Sequence, residues 1–256
     1  MKRIVVKVGS AVLSDHERIA KDRMQNLVNF IAELKKNYEV ILVSSGAVAA
    51  GYTELKLDKK ILANKQALAS IGQPILMNKY RKMFEHHNIL SSQVLVTAAN
   101  FNTAEESQKA KDTIETLLKH DVVPIINEND ATATEELILG DNDQLSAYAA
   151  YHFGAELLVI LSDIDAYYDK DPRSHDDAKV RTRIENITPE ELSLEVTPNH
   201  NFATGGIVTK LKAADFLLKR GGAMFLASGF DLSDAKSFLI ESSHRGGSFF
   251  KAVETL

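Results

Sequence analysis

Short apolar runs alternate along this chain with longer amphipathic segments, and this alternation constrains the fold more than any other feature. The runs are apolar on both faces, as expected of strands that are covered on both sides of a sheet. Six buried strands are predicted, at residues 4–8, 40–44, 90–96, 122–127, 157–162 and 223–227. Apolar residues that recur at intervals of three and four predict helices at residues 19–36, 103–120 and 208–219. The pattern predicts an α/β fold with a mainly parallel central sheet covered by helices on both faces.

The composition limits the classes of function that remain open. Basic residues number 30 and acidic residues 35, so the net charge is −5 and no general basic surface is available to nucleic acid or anionic lipid. The chain has no cysteine, which excludes disulfides, thiolate nucleophiles and zinc–thiolate clusters and suits a reducing cytoplasm. Lys7 interrupts the first apolar stretch, and the longest aliphatic run, 157–161, is too short to span a bilayer. We therefore expect a soluble, cytoplasmic protein with no nucleic-acid or membrane partner.

Glycines and small polar residues follow several predicted strands, at the sheet edge where ligands gather in open α/β folds. The first strand ends in KVGS (7–10), the second runs into SSGA (44–47), and the fifth runs into SD (162–163). The segment ATGGIVTK (203–210) opens the helix that precedes the last predicted strand. Each turn alone also fits an ordinary strand-to-helix connection. Together they indicate a phosphorylated ligand, because glycine lets backbone N–H groups approach an anion closely.

Two lysines occupy positions that are costly without an anion nearby. Lys7 lies inside an otherwise apolar strand, where its ammonium group would be desolvated. Lys210 lies one turn into a predicted helix, where the positive end of the helix dipole disfavours a cation. A bound phosphate would remove both penalties, although Lys210 also fits a solvated helix face.

The segment NENDATATEELILGDND (127–143) concentrates six carboxylates and no basic side chain directly after the fourth predicted strand. Because like charges repel, this segment is either a well-solvated loop or a site that holds a cation. No EF-hand ladder fits it. The sequence also lacks the P-loop, the G-x-G-x-x-G fingerprint, the G-x-S-x-G elbow, H-E-x-x-H and H-R-D.

At these positions the sequence resembles the amino acid kinase family. The motifs that carry the resemblance are KVGS, SSGAVAAG, INENDATAT, GDNDQLSA, SDIDAYYDKDPR and ATGGIVTKLKAA, and the resemblance runs from Lys2 to the last strand. NEND followed by GDND is similar to the branch of this family that phosphorylates L-glutamate. The resemblance implies a three-layer αβα sandwich with a mainly parallel central sheet. It also implies a kinase that transfers the γ-phosphoryl group of ATP to the side-chain carboxylate of L-glutamate, giving L-glutamyl 5-phosphate in the first step of proline biosynthesis.

The resemblance further implies roles for individual residues. Lys7 and Lys210 would hold the transferring phosphoryl group from opposite sides, and Asp143 would keep both ammonium groups in place. L-Glutamate would be bound through its carboxylates by Ser45 and Gly46, and through its ammonium and remaining polar groups by Asn127, Asp130 and Asn142. Glu135 and Glu136 would be exposed charges of a hairpin.

ATP would be bound by residues from the glycine turns and the end of the fifth strand: Lys7, Gly9, Ser162, Asp163, Thr204, Gly205, Gly206, Ile207, Val208, Thr209 and Lys210. Mg²⁺ would be held mainly by the ATP phosphates, and no side-chain metal ligand is predicted. The family often has a glycine where this chain has Ala166, so the contacts of the nucleotide loop are left open.

The resemblance implies a single amino acid kinase domain over residues 1–256. Residues 1–165 would form the amino-acid side and residues 166–256 the nucleotide side, and the chain would lack the C-terminal PUA domain of many relatives and end after a hairpin at residues 244–247. We also expect a homo-oligomer and functional coupling to glutamate-5-semialdehyde dehydrogenase.

Two alternatives remain open at this stage: another amino acid kinase, acting on carbamate or a different carboxylate, and a non-catalytic amino acid or nucleotide sensor on the same fold. The pair Lys7 and Lys210 argues against a sensor, which has no need of two phosphoryl-stabilising cations. Asp130 argues against carbamate and UMP, neither of which carries an α-ammonium group to pair with it.

Overall fold

The computed structural model describes residues 1–15, 18–132, 142–193 and 206–253. Its strands are β1 Lys2–Val8, β2 Ser14–Asp15, β3 Arg18–Ile19, β4 Tyr38–Ser44, β5 Ser91–Val96, β6 Val123–Glu128, β7 Leu157–Ser162, β8 Arg183–Ile184, β9 Ala223–Ser228 and β10 Ser248–Lys251. Its helices are α1 Ser10–Leu13, α2 Lys21–Leu34, α3 Ala47–Glu54, α4 Leu62–Glu85, α5 Ala104–Lys119, α6 Asn142–His152, α7 Pro189–Leu192, α8 Ile207–Leu218 and α9 Ser233–Leu239, with a short 3₁₀ turn at Ala98–Phe101.

Within the described residues, eight strands form one sheet in the order β5-β6-β4-β1-β7-β9-β10-β8. All neighbouring pairs are parallel except β9 with β10. The six strands predicted from the sequence are all present, with bounds within two residues of the prediction. The mainly parallel sheet is therefore confirmed.

The core lies on both faces of this sheet. On one face, Ile4, Val6 and Val8 of β1 pack with α2, α4 and α9, whereas Val5 faces the cluster formed with α5, α6 and α8. This alternation follows from the two-residue period of a strand. It confirms the three-layer αβα arrangement, and it directs Lys7, two residues after Val5, toward α6 and α8.

Several described elements were not predicted from the sequence, and one expected element is wrong. Helix α4 was not predicted, because Gly72 and Pro74 interrupt its sequence. The expected hairpin at residues 244–247 is wrong: β10 pairs antiparallel with β9, but α9 lies in the connection between them. Across the described residues, no helix has the length and apolar character needed to cross a membrane.

Candidate active site

Three buried charged residues meet at the carboxyl-terminal edge of the sheet. Lys7 comes from β1, Asp143 from the first turn of α6 and Lys210 from the first turn of α8. The carboxylate of Asp143 forms an ion pair with Lys7 Nζ, and its Oδ2 lies 3.1 Å from Lys210 Nζ. The hydroxyl of Thr209 donates to the same oxygen at 2.8 Å. Residues far apart in sequence thus form one cluster of two cations around one anion, as the resemblance implied.

This cluster is removed from solvent, with exposures of 6% for Lys7, 1% for Asp143 and 2% for Lys210. Burial alone would raise the pKa of Asp143, but the two ammonium groups and the hydrogen bonds from Lys7 and Thr209 hold it well below its usual range. Asp143 is therefore ionised at neutral pH. Among the described residues, one carboxylate contacts two lysines, an arrangement that suits the binding of an anionic ligand.

The first β-α turn borders this cluster. The N–H group of Gly9 donates to Leu161 O at 3.1 Å, which ties the turn to the end of β7. A Cβ added at Gly9 would lie 3.8 Å from Lys7 Nζ, so the turn runs beside the lysine ammonium. Glycine here lets a phosphate approach the backbone and Lys7 together.

The other predicted nucleotide residues fall at two further places in the structure. Ser162 ends β7 and donates to Asp163 Oδ1 at 2.9 Å. Gly206 precedes α8, and Ile207, Val208, Thr209 and Lys210 form the first turn of that helix. Thr204 and Gly205 lie outside the described residues.

The predicted amino-acid residues lie at the neighbouring strand ends. Gly46 has φ +109°, a left-handed conformation that favours glycine, and it joins β4 to α3. The amide nitrogen of Asn142 donates to Ser45 Oγ at 2.8 Å and to Asn127 Oδ1 at 3.0 Å. Three predicted substrate residues from three separate segments are thus joined by direct hydrogen bonds, and Asn142 is the sequence neighbour of Asp143.

Asp130 lines a cavity of about 210 Å³, together with Ala47, Gln73 and Glu128. Burial raises the pKa of Asp130, and the nearby charge of Lys65 offsets part of this rise. A cationic ligand beside Asp130 would relieve the cost of burying its charge. Glu135 and Glu136 lie outside the described residues.

Within the described ranges, no group of three or more histidine or acidic side chains is arranged to hold a metal ion. The carboxylate closest to the two lysines, Asp143, already accepts from Lys7, Lys210 and Thr209.

Sequence reasoning missed two polar residues of this region, Gln73 and Gln93. Gln73 Oε1 accepts from Asn127 Nδ2 at 3.0 Å, and Gln73 Nε2 donates to Gln93 Oε1 at 3.0 Å. A signal was present for Gln73, because it falls four residues after Ala69 and three before Leu76, both of which are buried. A polar residue at a core position of a helix needs a partner.

Comparisons with known proteins agree with this geometry. The model of the amino acid kinase family matches residues 2–228. The chain belongs to the amino acid kinase family. Two similar relatives are the glutamate 5-kinases of Wolinella succinogenes, 59% identical over 98% of both chains, and of Leishmania donovani, 55% identical over 98% of this chain and 95% of that one.

A solved amino acid kinase fold is also similar in shape. The carbamate kinase from Giardia lamblia bound to AMP-PNP has a TM-score of 0.67, covers 98% of this chain and 99% of its own, and shares 16% identity. At that identity the likeness concerns the fold alone. The comparisons confirm the family resemblance seen in the sequence, whereas the roles of individual residues remain predictions.

Proposed function

We propose that this chain catalyses the ATP-dependent phosphorylation of the side-chain carboxylate of L-glutamate, giving L-glutamyl 5-phosphate and ADP, the first step of proline biosynthesis. The observation that carries the proposal is the buried cluster of Lys7, Asp143 and Lys210, joined through Asn142 to Ser45 at the neighbouring strand ends. Its similarity to named glutamate 5-kinases supports the same acceptor.

The reaction needs no protein nucleophile and no general base. A side-chain carboxylate oxygen of glutamate attacks the γ-phosphorus in line, a new O–P bond forms, and the bond to the β–γ bridging oxygen breaks as ADP leaves. The carboxylate is already ionised at neutral pH, so no proton has to be removed. Catalysis therefore consists of positioning the two substrates and stabilising negative charge on the transferring group.

In this proposal Lys7 and Lys210 place positive charge on the transferring phosphoryl group, and Asp143 fixes the positions of both ammonium groups. Their burial strengthens the effect, because charges interact more strongly where water is excluded. Mg²⁺ bound with ATP would neutralise part of the phosphate charge. The first turn of α8 and the Gly9 turn would hold the nucleotide, with Ser162 and Asp163 beside them.

On the amino-acid side, Ser45 and Gly46 would receive the carboxylates of glutamate, and Asp130 would pair with its α-ammonium group. Residues 1–165 would accordingly form the amino-acid side and residues 166–256 the nucleotide side. Asp130 disfavours acceptors without an ammonium group, which includes carbamate.

The proposal extends to assembly and location. A homo-oligomer is supported by β5, which lies at an edge of the described sheet, where a second copy of the chain could cover its backbone groups. Acyl phosphates are reactive toward water, so functional coupling to glutamate-5-semialdehyde dehydrogenase would protect the product. The absence of cysteine supports a cytoplasmic location.

Hydroxylamine trapping of the acyl phosphate tests the acceptor. The purified protein is incubated with ATP, Mg²⁺, hydroxylamine and one acceptor at a time: L-glutamate, L-aspartate, N-acetyl-L-glutamate or carbamate. We expect hydroxamate formation with L-glutamate and little with N-acetyl-L-glutamate, which lacks the α-ammonium group. Faster turnover of N-acetyl-L-glutamate or carbamate than of L-glutamate would assign the chain to a different reaction.

A further inference from the structure

A chain of side-chain hydrogen bonds runs from the edge strand β5 to the amino-acid side of the candidate active site. Gln93 accepts from Gln73, Gln73 accepts from Asn127, and Asn127 accepts from Asn142, each at 3.0 Å. Asn142 also donates to Ser45 Oγ at 2.8 Å. Four side-chain amides are therefore linked by hydrogen bonds in a linear series that ends at the hydroxyl group of Ser45.

A backbone group fixes the direction of this chain. The N–H group of Glu128 donates to Asn127 Oδ1 at 2.9 Å, so the carbonyl oxygen of the Asn127 side chain must face that side. Its amide nitrogen then faces Gln73, which must present an oxygen, and the nitrogen of Gln73 faces Gln93. Reversing any inner amide would bring two donors or two acceptors together.

The direction of these hydrogen bonds determines which donor and acceptor atoms Asn142 and Ser45 can offer to the substrate. Both hydrogens of the Asn142 amide nitrogen are used, one toward Ser45 and one toward Asn127. Asn142 can therefore offer a ligand only its carbonyl oxygen, which suits an ammonium group. Ser45 Oγ accepts from Asn142, so it offers its own O–H hydrogen, which suits a carboxylate.

Gln73 is held firmly in this arrangement. It is 9% exposed, and at the preceding residue, Gly72, the backbone of its helix contacts the backbone of α3. A Cβ added at Gly72 would lie 1.8 Å from Ala47 O, so the glycine allows α4 to touch the start of α3, next to Ser45 and Gly46. The contact between Gln73 and Asn127 is thereby fixed in position relative to the turn at Ser45 and Gly46.

We infer that Gln73 is a positioning residue for the amino-acid substrate, acting through Asn127 and Asn142 to set Ser45 as a donor and Asn142 as an acceptor. This inference rests on the proposed phosphorylation of L-glutamate. It assigns a role in substrate selection to a residue of α4, whose sequence carries none of the motifs of the site. Gln73 also borders the cavity that Asp130 lines, so the test must separate action through Asn127 from direct contact with the ligand.

Three variants and a control carry the test. Gln73→Met removes the acceptor oxygen and leaves the Asn127 amide nitrogen without its partner, which we expect to raise the KM for L-glutamate about tenfold. Gln73→Glu keeps an oxygen facing Asn127, and the outer amide of Gln93 can turn its nitrogen toward the second oxygen, so we expect this KM to stay within about threefold of the wild type. Gln108→Met changes an exposed glutamine on α5 whose side chain donates to Asp112, outside this series of amides, and should leave the KM values for L-glutamate and ATP unchanged.

For each variant we would measure kcat and the KM values for L-glutamate and ATP. Calorimetry with AMP-PNP present would measure L-glutamate binding without turnover.

The third variant, Asn127→Ala, shows whether Gln73 acts through Asn127. If it does, adding Gln73→Met to Asn127→Ala should cause little further rise in the KM for L-glutamate. If Gln73→Met fails to fold by circular dichroism, Gln73→Asn replaces it, since its shorter side chain also loses the contact, and the same rise in KM is expected.

An unchanged L-glutamate KM in folded Gln73→Met, or an equal rise in the ATP KM, would overturn the inference. So would a full additional effect of Gln73→Met in the Asn127→Ala background, which would indicate direct contact with the ligand. These outcomes are distinct from failure of the proposed function, because the wild-type protein would then form no hydroxamate from L-glutamate at all.

Discussion

Replacing Asp143 by asparagine keeps the shape of the side chain and removes a negative charge that lies between two buried lysines. Asp143 is 1% exposed and contacts Lys7, Lys210 and Thr209. In the variant both ammonium groups stay buried, and their mutual repulsion is no longer offset. The substitution therefore probes the charge of the cluster with little change in its packing.

The expected loss of stability follows from the burial of these groups. Removing one partner of a buried ion pair costs about 3–5 kcal/mol, because the remaining charge is left desolvated and unpaired. For a chain of this size, about 2–4 °C of melting temperature is lost per kcal/mol, so we expect a fall of about 6–20 °C. Bound MgATP should raise the melting temperature of the wild type and of the variant alike, because a ligand that binds only the folded state stabilises it by mass action.

The contribution of Asp143 to the free energy of unfolding depends on pH with a definite sign. Because the pKa of Asp143 is lowered in the folded state, this contribution is complete at pH values above the pKa of the unfolded chain, about 3.9. The contribution is lost as the pH falls through the lower folded value. The difference in stability between wild type and Asp143→Asn should thus be constant between about pH 5 and 8 and should narrow below about pH 4.

Activity should fall through turnover rather than binding. Asp143 orients charges that matter most as the phosphoryl group transfers, so we expect kcat to fall about a hundredfold or more, with both KM values changed by less than about threefold. Steady-state kinetics and thermal unfolding measure both effects. Glu105→Gln is the matched control, because Glu105 pairs with Lys109 on the surface of α5 at 2.8 Å, where such a pair contributes only about 0.3–0.5 kcal/mol. A folded Asp143→Asn protein with wild-type kcat, or with its defect confined to the KM for L-glutamate, would refute the reasoning.

Three further predictions address the other parts of the site. Lys210→Ala, and likewise Lys7→Ala, should lower kcat on the order of a hundredfold or more with a smaller change in the L-glutamate KM, as measured by steady-state kinetics. Asp130→Ala should raise the KM for L-glutamate steeply and leave kcat and the ATP KM less affected, because its contact is similar in the ground and transition states. Since burial raises the pKa of Asp130, the wild-type KM for L-glutamate should also rise as the pH is lowered, and Asp130→Asn should abolish this dependence. Gly72→Ala should lower the melting temperature by about 6–12 °C, because a Cβ 1.8 Å from Ala47 O meets backbone that cannot turn aside, at a cost of about 3 kcal/mol.

Each of these predictions has an outcome that contradicts it. Near-normal turnover in folded Lys210→Ala would remove that lysine from the phosphoryl site. A defect of Asp130→Ala in the ATP KM alone would place Asp130 on the nucleotide side. Gly221→Ala serves as the control for Gly72→Ala, because Gly221 has φ +74° and open space around it, so only about 1–2 kcal/mol of backbone strain is expected. Equal losses in the two glycine variants would mean that the contact between α3 and α4 is not the cause.

The sequence predicted the strands well because their burial on both faces leaves a strong local signal. Leu157–Ser162 was predicted with its observed bounds. Lys7 could also be found, since an ammonium group inside an apolar strand is costly enough to require an explanation. Its pairing with Asp143, 136 residues away, came only from the family resemblance, because no local pattern reports which strand end meets which helix.

Other features could not be predicted for identifiable physical reasons. Gly72 and Pro74 are typical of a break in a helix, so α4 was not predicted. In the structure the helix continues through Pro74, and the missing side chain of Gly72 allows α3 to approach closely. The hydrogen bond between Gln73 and Asn127 requires α4, so a sequence analysis that did not predict α4 could not predict this contact. The pairing of β10 with β9 across α9 likewise depends on tertiary contacts that a turn signal at residues 244–247 does not report.

Transfer of oxygen from the acceptor tests the central claim most directly. L-Glutamate labelled with ¹⁸O in its side-chain carboxylate is incubated with the protein, MgATP and hydroxylamine, and the released phosphate is examined by mass spectrometry. If the side-chain carboxylate attacks the γ-phosphorus, its oxygen becomes the bridging atom, and hydroxylamine attack at the acyl carbon releases it with the phosphate. We expect one ¹⁸O atom per phosphate released, together with one ADP. Phosphate that carries no label would show that ATP was cleaved by water and that the side-chain carboxylate of glutamate is not the acceptor.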